Sequence, residues 1–271
     1  MPYLYETHLH TEEGSACGKS GGREYIPRYL DLGYTGIIIT DHFYRGNCAV
    51  NRRLPWEKWV QKFCLGYENA REEGERRGLD VFFGWEETFD GDDYLVYGLD
   101  KEWLLEHPES SRWSRKQQFD EVKRYGGCVV QAHPFRQYYY IYRIHLSTGC
   151  VDAVEAANAG NESAFDALAW TYAKKFSLPV TAGSDIHLAA DVRSETVFGV
   201  YLDKRMESIE NYVDAVRSNA IGGLKVPPGR FNLSGSERVQ LPVILRDSHD
   251  ESMNRNTAIK LSGELAGFYR L

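Results

Sequence analysis

The chain has 271 residues, 39 acidic against 32 basic, a net charge of −7, with 42% apolar and 26% charged side chains. This is the composition of a globular protein with a well-buried core, and it argues against long nucleic acid as an obligatory partner, whose phosphates need clustered cations. Five scattered cysteines without a C-x-x-C pair suggest neither a disulfide framework nor a structural zinc knuckle. No apolar run reaches the ~18 residues of a membrane span and no signal-peptide pattern opens the chain, so a cytoplasmic location is expected.

In chain order, the first element is a short extended stretch running into YETHLHT. Residues two apart on a strand point the same way, so His8 and His10 would converge on one point. Two histidines also fall close together by chance, and the pair alone decides nothing. Next, GYTGIIITDH reads as a buried strand ending on Asp41 and His42. A helix is predicted over 56–77, closed by Gly78. LDVFFGWEE ends on Glu86 and Glu87, and a helix over 114–125 stops at Gly126-Gly127. GGCVVQAHPFR ends on His133, Pro134 and Arg136, and VDAVEAANAGN on Glu155 and Asn158. A helix over 162–176 follows, then LPVTAGSDIH, ending on Asp185 and His187, and a helix over 206–218.

Short continuous apolar runs are the mark of strands buried on both faces, and their alternation with helices implies βα units around a parallel sheet. Ionisable groups at so many strand C-termini favour an α/β barrel, whose site lies at that face. An open doubly wound sheet gathers its ligands at one switch point instead. The barrel is expected to occupy residues 1–225. Residues 226–271 read as a loop, one or two late strands near Val239 to Leu245, and a surface tail packed on the barrel.

Together the strand ends supply His8, His10, His42, Glu86, His133, Asp185 and His187, five of the eight histidines among them. Five imidazoles at one face would repel one another once protonated. A metal cluster resolves this, because neutral imidazole and carboxylate are its natural ligands.

H-L-H-T, I-I-T-D-H, G-W-E-E, A-H-P-F-R and G-S-D-I-H follow one another in the order found in the PHP superfamily, the polymerase and histidinol phosphatase group, which the chain resembles over roughly residues 3–202. The resemblance implies a distorted (β/α)7 TIM-like barrel with two or three divalent ions (Mn, Fe or Zn) at the strand C-termini, usually hydrolysing phosphoesters. Carried over by position, His8, His10 and Asp185 bind one ion, and Glu86 bridges it to a second. His133 completes the second with a residue of GDDYLVYGL, best matched by Asp93. His42 and His187 bind the third, and Asp41 orients a ligand. Many relatives place a further ligand of the third ion five or six residues beyond H-x-H. Here Ser15 and Ala16 stand there, with Glu12, Glu13 and Cys17 nearby. A weak third site follows, which Ser15→Asp should strengthen.

Two ions about 3.5–4 Å apart supply hydroxide at neutral pH and shield phosphoryl oxygens, which suits phosphoester hydrolysis. Glu86, Asp185 and Arg136 are the expected catalytic residues, with Arg136 gripping a phosphate bidentately and Lys19 and Arg45 as further phosphate contacts. Tyr138, Tyr139, Tyr140 and Tyr142 are expected to pack a long loop onto the rim, and His107 and His145 to lie on the surface. The leading reading is a phosphomonoesterase acting on a small phosphorylated substrate, with no protein partner predicted. A degenerate metal-binding module is the alternative. A nuclease fits the acidic charge poorly, and a metal-dependent amidohydrolase would carry a bridging lysine where Glu86 stands.

Overall fold

The computed structural model describes residues 2–233, 235, 238–262 and 267–268. Nine strands form one sheet in the order Gly223–Lys225 (β10), Gly199–Leu202 (β9), Tyr3–Glu6 (β1), Gly36–Ile39 (β2), Asp80–Phe89 (β3), Asp92–Tyr97 (β4), Cys128–Gln131 (β5), Ala153–Asn158 (β7) and Val180–Gly183 (β8). Beyond β1 and β8 the two segments meet again. Leu9 there bridges Ile186 in parallel, the His10 amide donates to the Ile186 carbonyl (3.0 Å), and the Asp185 amide to that of His8 (2.8 Å). The sheet thus curls into a nearly closed, distorted TIM-like barrel. Its seam is made by the backbone of the H-x-H and S-D-I-H segments, which brings ends far apart in sequence to one face.

The pairing is parallel for β1 with β2, β2 with β3, β5 with β7, and β7 with β8, as the apolar runs predict. The regular βα alternation breaks at β3–β4–β5, which is antiparallel. The cause is the Asp90-Gly91 pair, with φ of 57° and 93°, a backbone that turns a strand back on itself in a tight hairpin. The strand ending in Glu86 and Glu87 therefore continues to Phe89 and returns, which sets Asp93 opposite Thr88.

Helices Arg115–Arg124 (α5), Ser163–Lys175 (α6) and Ile209–Arg217 (α7) fall within their predicted ranges, α5 behind a Ser114/Gln117 capping box. The predicted 56–77 helix is two, Trp56–Phe63 (α2) and Leu65–Arg77 (α3), the second closed by left-handed Gly78. A Cβ at Gly66 would meet Thr11 Oγ1 at 2.0 Å, so glycine lets α3 lie against the loop after His10. Helices Gly22–Asp31 (α1), Lys101–Glu106 (α4) and Arg255–Ser262 (α8) were not expected. Pro27 interrupts the pattern of α1, and α4 is little more than one turn behind an Asp100 cap.

The late strand Val243–Arg246 (β11) pairs in parallel with Ile144–Ser147 (β6) as a second, two-stranded sheet. Val239, Val243, Leu245 and Ala258 pack with Phe135, Leu146, Leu168 and Tyr172. Within the expected tail, residues 234, 236–237, 263–266 and 269–271 lie outside the described residues. No helix of the described residues is long and apolar enough to cross a membrane.

Candidate metal centre

At the strand C-termini the predicted ligands converge beside an open cavity of about 870 Å³. Glu86 is fully buried and faces four imidazoles. Its Oε1 lies 3.2 Å from His8 Nε2 and 3.1 Å from His133 Nε2, and its Oε2 lies 2.9 Å from His42 Nδ1 and 3.4 Å from His10 Nε2. Asp185 Oδ1 is 3.0 Å from His10 Nε2 and 3.5 Å from His8 Nε2. Three groups have ligand atoms close enough to share an ion: His8 with His10 and Asp185, His8 with Glu86 and His133, and His10 with His42 and His187.

Buried polar atoms in this cluster lack ordinary partners. Glu86 Oε2 and His42 Nδ1 are near each other yet misaligned, and neither has a hydrogen-bond partner among the described residues. Unpaired polar atoms in a protein interior are costly, and divalent cations satisfy this donor set. Backbone strain points the same way. His133 and Asp185 adopt φ of 27° and 55°, a conformation that non-glycine residues hold mainly where the surroundings impose it.

The backs of three rings, His8, His10 and His187, are fixed by partners that set the tautomer. Glu155 Oε1 lies 3.0 Å from His8 Nδ1, while its Oε2 accepts the His133 amide (3.0 Å) and the Asn158 side-chain amide (2.9 Å). The Ser15 hydroxyl donates to Asp41 (2.7 Å), so it must accept from His10 Nδ1 (3.0 Å) and from the His42 amide (2.9 Å). His187 Nδ1 donates to the Asp185 carbonyl (2.8 Å). In His8, His10 and His187 the proton thus sits on Nδ1, and Nε2 turns its lone pair to the centre. Asp41 reaches the His10 ring through Ser15, whose hydroxyl proton it accepts.

Electrostatics follows from this crowding. Burial pushes the Glu86 carboxyl up, but His8 and His42 outweigh it and hold it well below the usual carboxylate range. For Asp185, Arg136 and His8 likewise overcome burial. His10 is pushed down to about 3 by burial together with the neighbouring His42 and His187. Burial raises the Cys17 thiol, yet hydrogen bonds from His187 and His42 bring it down to about 6. Burial raises Asp93 to about 6 and Asp41 to about 7.

Asp93 lies near the Glu86–His133 group, its Oδ2 3.9 Å from His133 Nε2, with its other oxygen accepting from Thr88 Oγ1 (2.5 Å). Arg136 lines the cavity with its guanidinium held in three directions: Nη1 to Asp185 Oδ2 (2.6 Å), Nη2 to Asn158 Oδ1 and Nε to Asn161 Oδ1 (both 2.9 Å). Lys19 and Arg45 also line it, Arg45 with its guanidinium 4.9 Å from the Phe89 ring centre.

Several expectations are corrected. Ser15 does not face the His42–His187 group but stands behind His10, so the loop position carries a ring support rather than a weak ligand. The tyrosine loop does not bury its rings: Tyr138, Tyr139 and Tyr140 line the cavity mouth, with Tyr139 88% exposed, and Ile141 packs inward instead. His145 is buried, its Nδ1 2.6 Å from Asp92, while His107 is half-buried and stacked on Trp103. The sequence reading gave Glu155 no role. Its signal was an acidic side chain inside the otherwise apolar strand AVEAAN, which needs a buried partner.

A family model described as PHP-associated matches residues 167–218, which contain Asp185 and His187. No curated protein matches the chain. Among solved structures, a two-domain protein of Bacteroides vulgatus containing a predicted PHP-like metal-dependent phosphoesterase superposes with a TM-score of 0.56 at 16% identity, over 80% of this chain and 64% of that one. The chain therefore spans less than two thirds of that relative's length. PsfC from Pseudomonas syringae superposes with a TM-score of 0.52 at 15% identity, over 84% of this chain and 93% of its own. At these identities the likeness is one of fold.

Proposed function

We propose that this chain, a member of the PHP superfamily, hydrolyses a small phosphate monoester with divalent ions held around Glu86. The observation that carries this reading is the placement of Glu86, one oxygen toward His8 and His133 and the other toward His42 and His10, beside a cavity lined by Arg136. Divalent ions in such a donor set lower the pKa of water and screen phosphoryl charge. His8, His10 and Asp185 would hold one ion, Glu86, His133 and Asp93 a second, and His42 and His187 a third.

The chain's own residues supply the rest. Glu155 and Ser15 keep the rings of His8 and His10 turned inward, so that each presents a lone pair to a cation. Arg136 is pre-oriented by Asn158 and Asn161, with guanidinium hydrogens left to donate toward an anionic substrate at the cavity wall. Lys19 and Arg45 add positive charge near the mouth. The open cavity suits a small molecule better than a polymer, and the acidic chain lacks a basic track for one.

The test is turnover of p-nitrophenyl phosphate and bis-p-nitrophenyl phosphate by protein loaded with manganese, iron or zinc, with and without chelator. Chelator-sensitive turnover favouring the monoester is expected. Loaded protein that turns over neither ester, nor any member of a panel of phosphorylated metabolites, refutes the reading.

A further inference from the structure

The loop between β5 and β6 carries Tyr138, Tyr139, Tyr140 and Tyr142, none of them less than 48% exposed. The first three line the cavity beside the candidate metal centre, as does Arg136, while Tyr142 lies off it. The loop is anchored on both sides of the rings. Phe135 is fully buried, Arg136 is held by Asp185, Asn158 and Asn161, and the Gln137 side chain accepts the Gln240 amide (2.7 Å). Beyond the rings, the Ile141 amide donates to the Tyr138 carbonyl (2.9 Å) and Ile141 is buried. Its Cα lies 3.9 Å from where a Cβ of Gly91 would stand, against the β3–β4 turn. Three rings are thus presented to water on a turn whose backbone is fixed.

A tyrosine offers a large, rigid contact surface that loses little entropy when covered. The ring centres lie 5.2 Å (Tyr139–Tyr140), 5.4 Å (Tyr138–Tyr140) and 6.1 Å (Tyr138–Tyr139) apart, at 86°, 40° and 49°. At such separations the rings touch one another, which leaves no space between them for a cationic head group. Lys19, Arg45 and Arg136 line the same cavity, and its acids Glu86, Asp93 and Asp185 belong to the metal centre. The free faces therefore suit a flat, uncharged ring. Arg136 and Tyr138 are two residues apart, so their Cα atoms lie within about 7 Å. A phosphate held by Arg136 leaves the rest of a small ester beside the rings.

We propose that Tyr138, Tyr139 and Tyr140 form a stacking subsite that selects phosphate monoesters whose alcohol carries a flat aromatic ring. The metal centre and Arg136 take the phosphate, and the ring of the alcohol lies on the tyrosines. Tyr139, the most exposed of them, has the most surface to cover. The proposal rests on the reading of this site as a phosphomonoesterase.

The test compares matched esters on full-length protein loaded with manganese, iron or zinc. Benzyl phosphate and cyclohexylmethyl phosphate both release a primary alcohol and differ in the flatness of the ring. Adenosine 5′-monophosphate and ribose 5-phosphate form a second pair, in which the ring is a heterocyclic base. kcat/KM should favour the member with the aromatic ring by about 10-fold in at least one pair, mainly through KM. The pair that shows it tells which kind of ring is bound. Tyr139→Ala should bring that ratio towards one, whereas Tyr139→Phe should keep it because the ring face stays. Tyr142→Ala, off the cavity, should keep it too. Ratios near one in both pairs, or a ratio untouched in Tyr139→Ala, overturn the subsite alone. So does turnover confined to phosphomonoesters without an aromatic ring. Loaded protein that hydrolyses no phosphomonoester overturns it together with the phosphomonoesterase reading.

Discussion

Ser15 Oγ lies 3.0 Å from His10 Nδ1 and gives its own proton to Asp41, so it props the ring from behind. Ser15→Asp should therefore lower stability without adding an ion. It would bury a second carboxylate against Asp41, which already accepts from Thr11 and is raised to about 7 by burial. Ser15→Ala should weaken metal binding about 10- to 100-fold, the usual cost of losing an outer partner of a ligand. Metal titration and thermal unfolding check both. An added equivalent in Ser15→Asp would show that the loop follows another path.

Glu155 stands to His8 as Ser15 stands to His10, but it also accepts the amide of His133. One carboxylate thus holds histidines from two strand ends. Glu155→Gln should cost about 10- to 100-fold in metal affinity, because an amide offers one acceptor where the carboxylate offers two. The fold should survive, since side-chain volume is kept. Metal content after dialysis, read beside circular dichroism, separates the two effects. Full retention of metal would make Glu155 merely structural.

How much of this was legible in the sequence depends on the kind of interaction. The convergence of these side chains was legible because each ends an apolar run: His8, Glu86, His133 and Asp185 stand where their strands place them. The pairing of the sheet edge was less so. The Asp90-Gly91 turn carries a clear hairpin signal, but the apolar run before it ends earlier, and the antiparallel return of β4 follows from the turn alone. The partners behind the rings were hidden. Whether Ser15 faces an ion or the back of His10 depends on the path of a loop fixed by Asn47, Ser20 and His187, all distant in sequence or silent in hydropathy. Exposure of the tyrosines was equally unreadable, since an aromatic run packs or stands free according to which neighbour, here Ile141, finds the core first.

Arg136→Ala should leave metal content intact and lower kcat/KM for a phosphomonoester by roughly 10²- to 10³-fold, the cost of losing one charged donor to a developing anion. Arg136→Lys should not restore it, because an ammonium cannot reproduce the three-way fork on Asp185, Asn158 and Asn161. Steady-state kinetics with parallel elemental analysis decides. Unchanged kinetics would remove Arg136 from the site.

Arg230, just after β10, donates to Asp166 (2.7 Å) and to the carbonyls of Asn158 (2.9 Å) and Asn161 (2.6 Å), the loop that holds Arg136. Arg230→Ala leaves the buried Asp166 carboxylate without its cation, held only by the Asn158 amide and the Asn161 side chain, and should destabilise the fold by about 3 kcal/mol. It should also raise KM more than it lowers kcat, because the loop under Arg136 loosens while the metal ligands stay put. Denaturant unfolding and a KM-against-kcat comparison test this, and a variant with native stability and kinetics would refute it.

Glu86→Gln is the change expected to do most damage. Four imidazoles face this one carboxylate, two at each oxygen. Its charge is what allows cations to be held close together against their own repulsion, and a neutral amide of the same shape keeps the packing while removing that charge. Its NH₂ end would also point a donor at nitrogens whose lone pairs should face a cation. Metal affinity should fall by more than about 100-fold, beyond the range of an outer partner, and phosphoester turnover should disappear with it. The variant should still fold, because Trp85 and the core of Phe43, Trp59 and Phe63 behind it are untouched. Elemental analysis, turnover and circular dichroism on one preparation suffice. A folded Glu86→Gln protein with full metal content and normal turnover would move the centre of the site elsewhere.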